Sequence, residues 1–162
     1  MNPVLRSEPR AGTHHAFNPG DEPVMPYPEQ MVAPMRAELT TFGVQELRDA
    51  AAVDAWFAEK SGTAVLLINS VCGCAAGSAR PALKLALEHP SRPGRAATVF
   101  AGQDLEATAR ARQLIGDVPP SSPSIAVLKD GELVHFVPRH LIEGQSAELV
   151  ARELGEAFAE HC

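Results

Sequence analysis

Two cysteines one residue apart, Cys72 and Cys74 on either side of Gly73, are the residues whose types and spacing most directly imply chemistry. A thiolate, not a thiol, attacks disulfides and ligates metals, so the question is what lowers the pKa of one of them. Cys72 follows an apolar run at 63–68 and precedes a helical pattern that starts near Ala75. A sulfur at that junction lies near free backbone N–H groups and the positive end of the helix dipole, which favours the charged form. Cys74, in the first turn, is more shielded. The spacing therefore assigns attack to Cys72 and the partner or resolving role to Cys74. A bridge between them is geometrically feasible, because disulfides span Cα separations of about 4.4–6.8 Å. A ring over one residue is strained, and Gly73 relieves it through its wider φ/ψ range. Strained disulfides are more readily reduced, which suits a donor or isomerising catalyst better than a strong reductant.

Other readings of the same residues exist. Buried cysteines also serve as small hydrophobes. A Cys-x-Cys pair can chelate, although tetrahedral zinc wants four protein ligands and the third cysteine, Cys162, is the last residue of the chain. A redox sensor whose disulfide changes partner binding without turnover is a third. Three cysteines in 162 residues do not make a secreted disulfide framework. In a reducing compartment such a pair is catalytic, redox-sensing or metal-binding.

The elements that position the pair follow from periodicity. Residues 63–68, Thr-Ala-Val-Leu-Leu-Ile, form a continuous apolar run, the pattern of a strand covered on both faces. Residues 75–88 read as a helix with Ala76, Ala79, Leu83 and Leu87 along one stripe. A second β-rich run spans 96–100. Asp104 is placed to cap a helix that Gly116 ends. Two runs, 124–128 and 132–137, meet at Asp130-Gly131, a hairpin signal. Ser146 caps a final helix in which Val150, Leu154, Ala157 and Phe158 face inward and Glu148 and Arg152 form an i,i+4 pair. Upstream, a helix covers 34–39 with Pro34 in its first turn, 44–47 is a short edge strand, and 51–60 carries Val53, Trp56 and Phe57 at helical spacing. Parallel strands joined by helices, followed by an antiparallel hairpin, give a thioredoxin-like three-layer α/β/α sandwich with a central mixed sheet.

Composition narrows the remaining classes. With 45% hydrophobic and 21% charged residues the chain is an ordinary soluble globular sequence. A net charge of −6 argues against nucleic acid as a main partner. No apolar run approaches the roughly 18–20 residues that span a bilayer, and the first ten residues lack a signal-peptide core. The expectation is a cytoplasmic protein with no membrane association. Residues 1–26, rich in proline and poor in large apolar side chains, read as a disordered extension to a domain at 27–162. Within that extension His14-His15 has no partner and reads as tail.

Two features flank the cysteines. Pro123 directly precedes a strand, where thioredoxin-like folds carry a cis-proline against the reactive cysteine, yet Pro119, Pro120 and Pro123 are not separable as cis from sequence. Arg80-Pro81 falls one to two turns into the helix after the pair, where proline removes a helix bond and kinks the chain. Arg80 is either a solvated charge or an anion contact.

The segment Asn69-Ser70-Val71-Cys72-Gly73-Cys74-Ala75-Ala76-Gly77, with Ala79-Arg80-Pro81 after it, resembles the bacilliredoxin family. Agreeing segments are Pro34-Met35-Arg36-x-Glu38-Leu39-Thr40, Thr98-Val99-Phe100-Ala101-Gly102-Gln103-Asp104, Pro120-Ser121-Ser122-Pro123-Ser124, His135-Phe136-x-Pro138-Arg139-His140-x-Ile142-Glu143-Gly144, and the terminal His161-Cys162. The likeness runs from about residue 28 to the end. It implies a thioredoxin-like thiol–disulfide oxidoreductase that removes bacillithiol, a low-molecular-weight thiol, from cytosolic proteins it has capped, with disulfide isomerase activity besides. No bound cofactor is implied; bacillithiol is the thiol co-substrate. Cys72 and Cys74 are then catalytic, and Gly73, Ser122, Pro123, Arg80 and Arg139 contact substrate. The two arginines are candidates for the malate carboxylates of bacillithiol, because Arg–carboxylate pairing is geometrically specific. His140 and His161 are either surface or site residues, and Cys162 is either an exposed thiol or an alternative partner for the pair.

Overall fold

The apolar run after Gly62 becomes the middle strand of a five-stranded mixed sheet, and this accounts for its burial on both faces. The computed structural model describes residues 26–162, so the extension expected over 1–26 lies, apart from Pro26, outside the described residues, as do His14 and His15. The elements in chain order are α1 (Glu29–Thr40), β1 (Gln45–Glu46), α2 (Ala50–Ala58), β2 (Thr63–Asn69), a π-helical turn (Ala75–Ala79) leading into α3 (Arg80–Ala86), β3 (Arg95–Phe100), α4 (Leu105–Ile115), β4 (Ser124–Lys129), β5 (Glu132–Val137), a 3-10 turn (Arg139–Leu141) and α5 (Ala147–His161). The strand order is β1-β3-β2-β4-β5. β1, β3 and β2 run parallel, whereas β4 is antiparallel to β2 and β5 to β4.

Alternation along β2 divides the core into two layers. Val65 and Leu67 face one side with Leu39 of α1, Leu83 of α3, and Leu154 and Phe158 of α5. Ala64, Leu66 and Ile68 face the other with Val53 and Trp56 of α2 and Ala107, Ala111 and Ile115 of α4. Leu66 and Leu67 are fully buried, and each such side chain contributes about 1.5–3 kcal/mol of transfer free energy. The architecture is the expected three-layer α/β/α sandwich. Its hairpin closes at Asp130 and Gly131, both at positive φ (50° and 82°), the backbone that a two-residue turn matched to strand twist requires.

Four local expectations change. α1 begins at Glu29 with Pro28 at its N-cap, so Pro34 lies inside the helix, where it removes one intrahelical bond, and not in the first turn. Asp104 stands at the N-cap of α4 without capping it. Its carboxylate instead takes both Nη atoms of Arg36, at 2.6 and 3.0 Å. That arginine is 5% exposed and also binds Glu29 and Glu46, tying α1 to β1 and to the start of α4. Glu148 and Arg152 are both solvent-exposed and form no ion pair; holding two long side chains in one geometry at the surface gains little. Finally, the helix after the cysteines is irregular ahead of Pro81. The wider π turn over Ala75–Ala79 rotates Ala76 out to solvent and turns Arg80 inward, while Pro81 falls at the start of α3, where its missing N–H costs little.

Candidate active site

Cys72 sits where β2 has ended and the helical turns begin. Its carbonyl accepts the N–H groups of Ala75 and Ala76 at 3.0 and 3.3 Å, so it occupies the helix N-cap. In that position a side chain accepts from the second and third helical N–H groups. Here the sulfur takes that place, where the nearby backbone N–H groups of Cys74 and Ala75 favour its charged form. Ser70 donates directly: its hydroxyl lies 3.2 Å from Cys72 Sγ and accepts the Cys72 N–H at 3.3 Å. The Cys74 thiol is the other contact, with the two sulfurs 3.0 Å apart and both cysteines free.

These contacts separate the two thiols. Burial pushes the Cys72 thiol up, but the hydrogen bonds from Ser70, Cys74 and the backbone outweigh it and hold the group below the ordinary cysteine range. Cys74 moves the other way: its hydrogen bond to Cys72 raises it first, then burial and the charge on Cys72, against a smaller opposing effect of the Arg139 guanidinium. The arrangement therefore makes Cys72 the first of the two to ionise and Cys74 the one that keeps its proton longer. Gly73 between them is exposed, has no positive φ, and leaves open space where a Cβ would stand. In the dithiol state its conformational freedom is not called upon.

A shallow groove of about 240 Å³ opens over Cys72, walled by Tyr27, Ser70, Val71, Gly102, Ser122 and Arg139. The Ser122–Pro123 peptide bond is cis, which singles out Pro123 among the three neighbouring prolines. Register explains its place: Ser124 pairs with Ile68, so Ser122 and Pro123 lie beside the end of β2 from which the cysteine loop emerges. Pro123 itself is buried, while Ser122 lines the groove and its carbonyl accepts Arg139 Nη1 at 3.3 Å. Arg139 is partly exposed, pairs loosely with Glu143 at 3.5 Å, and also borders a second hollow of about 350 Å³ with Pro120, Phe136, Pro138 and His140.

Sequence reasoning placed Arg80 at the substrate, and the structure gives it other neighbours. It is 2% exposed, and its guanidinium binds Glu38, the Asn69 side chain and the Ser70 carbonyl behind the cysteine loop. Cys162 does not approach the pair. The start of α5 lies against the cysteine helix through Ser78 and Gln145, and the helix then carries its end about 22 Å along its axis. Gly155 already packs on His89, beyond the end of α3, so Cys162 and His161 belong to the far end of the domain. A chelating arrangement at Cys72 and Cys74 lacks further donors: among the described residues no three His, Cys, Asp or Glu side chains are grouped to hold a metal ion. The sequence reading passed over Asn69, Ser70 and Glu38 as site residues. The signal for the first two was present, since they are the polar pair that ends an otherwise apolar strand.

Residues 27–162 match the family described as Disulphide isomerase. A protein named bacilliredoxin from Cytophaga hutchinsonii is 55% identical over 134 residues, covering 83% of this chain and 98% of its own. Bacilliredoxins from Salinibacter ruber and Bacillus cereus are 55% and 47% identical, over 85% and 84% of this chain and 82% and 95% of theirs. Among solved structures, Fasciola hepatica thioredoxin superposes with a TM-score of 0.52 at 23% identity, covering 74% of this chain and all of its own. Reduced Schistosoma mansoni thioredoxin pre-protein gives 0.50 at 17%, over 74% and 98%. These two establish the thioredoxin fold alone. No helix among the described residues is long and apolar enough to cross a membrane. With one cysteine at a helix N-cap, a second thiol in contact with it and relatives of this similarity, the chain is a thiol–disulfide oxidoreductase that belongs to the bacilliredoxin family.

Proposed function

We propose that this protein removes bacillithiol from S-bacillithiolated cytosolic proteins. The observation that carries the reading is the division between two touching sulfurs, one shifted toward the thiolate beside an open groove and the other shifted toward the thiol. The relatives' shared name supplies the thiol. In the first step the Cys72 thiolate attacks the bacillithiol sulfur of the mixed disulfide. A new S–S bond forms to Cys72, the old one breaks, and the substrate protein leaves as a thiolate that takes a proton. Cys72 then carries bacillithiol as a mixed disulfide. In the second step either Cys74, after losing its proton, attacks the Cys72 sulfur and expels bacillithiol, or a second bacillithiol thiolate attacks the bound one and leaves as the bacillithiol disulfide. The first route ends in a Cys72–Cys74 disulfide, which a two-electron thiol reductant must reopen. The same disulfide supports isomerase activity toward other proteins.

Arg139 is the groove cation suited to the malate carboxylates of bacillithiol, because its guanidinium reaches the groove and its tie to Glu143 is loose. The test is turnover of a bacillithiolated protein with mass spectrometry of the enzyme. Cys72→Ala abolishes release, and Cys74→Ala accumulates a Cys72–bacillithiol adduct. An adduct in Cys72→Ala and none in Cys74→Ala reverses the two roles. Equal rates on glutathione, cysteine and bacillithiol mixed disulfides remove the assignment of the thiol.

A further inference from the structure

Ser70 is held by every polar group it has. Its N–H donates to Asn69 Oδ1 at 2.9 Å, and its carbonyl accepts Arg80 Nη1 at 2.9 Å. Its hydroxyl accepts the Cys72 N–H and donates to the Cys72 sulfur. The same Arg80 Nη1 also reaches Asn69 Oδ1, at 3.0 Å, so one guanidinium nitrogen spans the two residues that end β2. Arg80 Nε in turn binds the carboxylate of Glu38 on α1. Asn69 and Arg80 are 1% and 2% exposed, which makes this a buried chain of contacts that ends on the nucleophile.

A 2% exposed arginine whose guanidinium is taken up by Glu38, Asn69 and Ser70 calls for a structural reason to be there. The π turn supplies the means, since its extra width turns Arg80 toward the strand end and away from solvent. We propose that Arg80 is a positioning residue for thiol exchange: braced by Glu38, it fixes the Asn69-Ser70 corner so that the Ser70 hydroxyl donates to the Cys72 sulfur. Its effect runs through geometry. The Glu38 carboxylate offsets its charge, and the charged or titrating groups that face Cys72 are Cys74 and Arg139, to neither of which Arg80 bonds. Ser70 is the catalytic member, because it alone of the four touches the reacting atom.

The alternative is that Arg80 merely fastens α3 to α1. The two separate in the pH profile of iodoacetamide alkylation of the reduced protein, read at Cys72 by fragment mass spectrometry. Ser70→Ala moves the midpoint of that profile upward and slows alkylation at neutral pH by roughly ten-fold, the scale of one hydrogen bond to an ionised acceptor. Arg80→Met moves it in the same direction, and Arg80→Lys does not restore it, because an ammonium lacks the planar fork. The Ser70→Ala/Arg80→Met double variant shifts no further than Ser70→Ala, since both act on one hydrogen bond. An unmoved midpoint in Arg80→Met, full rescue by lysine, or additive shifts in the double variant overturns the proposal. If Arg80→Met does not fold, Glu38→Ala at a half-exposed position carries the test, with an upward shift expected and an unmoved midpoint fatal. The proposal rests on Cys72 as attacking thiol and not on bacillithiol. Failure to release bacillithiol with normal alkylation profiles strikes the substrate reading, whereas unmoved midpoints strike this one.

Discussion

Cys72 Sγ and Cys74 Sγ stand 3.0 Å apart, yet the Ser70 hydroxyl donates to the first of them alone. Two adjacent and chemically identical side chains therefore titrate in opposite directions, one lowered by its donors and one raised by its neighbour. Below its lowered pKa Cys72 is a thiol and slow; above it the thiolate reacts. Cys74 lags to higher pH. Site-resolved alkylation across pH checks this, and equal rates at the two sites throughout would contradict it. In Cys72→Ala the group that raises Cys74 is gone, so the Cys74 midpoint falls.

Gly73 offers a cleaner separation of the two redox states. Nothing lies within 4 Å of a Cβ added there, and its φ is not in the left-handed region. Gly73→Ala leaves the dithiol protein as stable as the parent in urea, to within about 0.5 kcal/mol, the usual range for an exposed change. If the bridged state needs glycine's backbone freedom, the variant closes its disulfide more slowly under a thiol–disulfide redox buffer. Closure at the parental rate would show that the ring forms without it.

Arg139→Gln tests recognition separately from chemistry. The variant removes the groove cation, and KM for a bacillithiolated substrate rises by roughly ten-fold, the scale of one charge-assisted pair, with a smaller change in kcat. A mixed disulfide with an uncharged thiol such as cysteamine's neutral analogue mercaptoethanol shows no such rise. Loss of the opposing charge also moves the Cys74 midpoint further up.

Arg36→Met addresses the scaffold. Arg36 gathers Glu29, Glu46 and Asp104, and it lies 5.3 Å from the centroid of the Phe100 ring. Removing it costs less than the about 3–5 kcal/mol of a fully buried pair, because Glu29 is half exposed and only Asp104 and Glu46 are left largely enclosed. The expected result is a large fall in the urea midpoint. Adding Asp104→Asn recovers part of it, since one of the stranded carboxylates is then neutral.

Much of this architecture could be read from sequence, for reasons that are local. The β2 run, the Asp130-Gly131 hairpin and the Ser146 cap each depend on patterns within a few residues, and the structure contains all three. The position of Cys72 at a helix start followed from the same logic. What stayed hidden is set by distance in the chain. Arg80 meets Glu38 across 42 residues, and Asp104 meets Arg36 across 68, so neither the buried brace nor the loss of the Asp104 cap has a local signature. The π turn was equally illegible, because small residues over 75–79 satisfy an ordinary helical stripe as readily. Among three nearby prolines only the fold selects which peptide bond is cis.

The order of strands sets when the reactive thiol acquires its surroundings. Ser122 and Arg139 reach the groove from segments 50 and 67 residues beyond Cys72 in the chain, and Tyr27 comes from 45 residues before it. During synthesis the Cys-Gly-Cys segment leaves the ribosome after Tyr27 but well before Ser122 and Arg139. Until β4 has paired with β2 there is no selective mouth, and until the N-cap forms the cysteines have no backbone donors and ordinary acidity. The unfolded segment is an ordinary dithiol, so what folding adds is the difference between its two sulfurs, and with it a direction of attack.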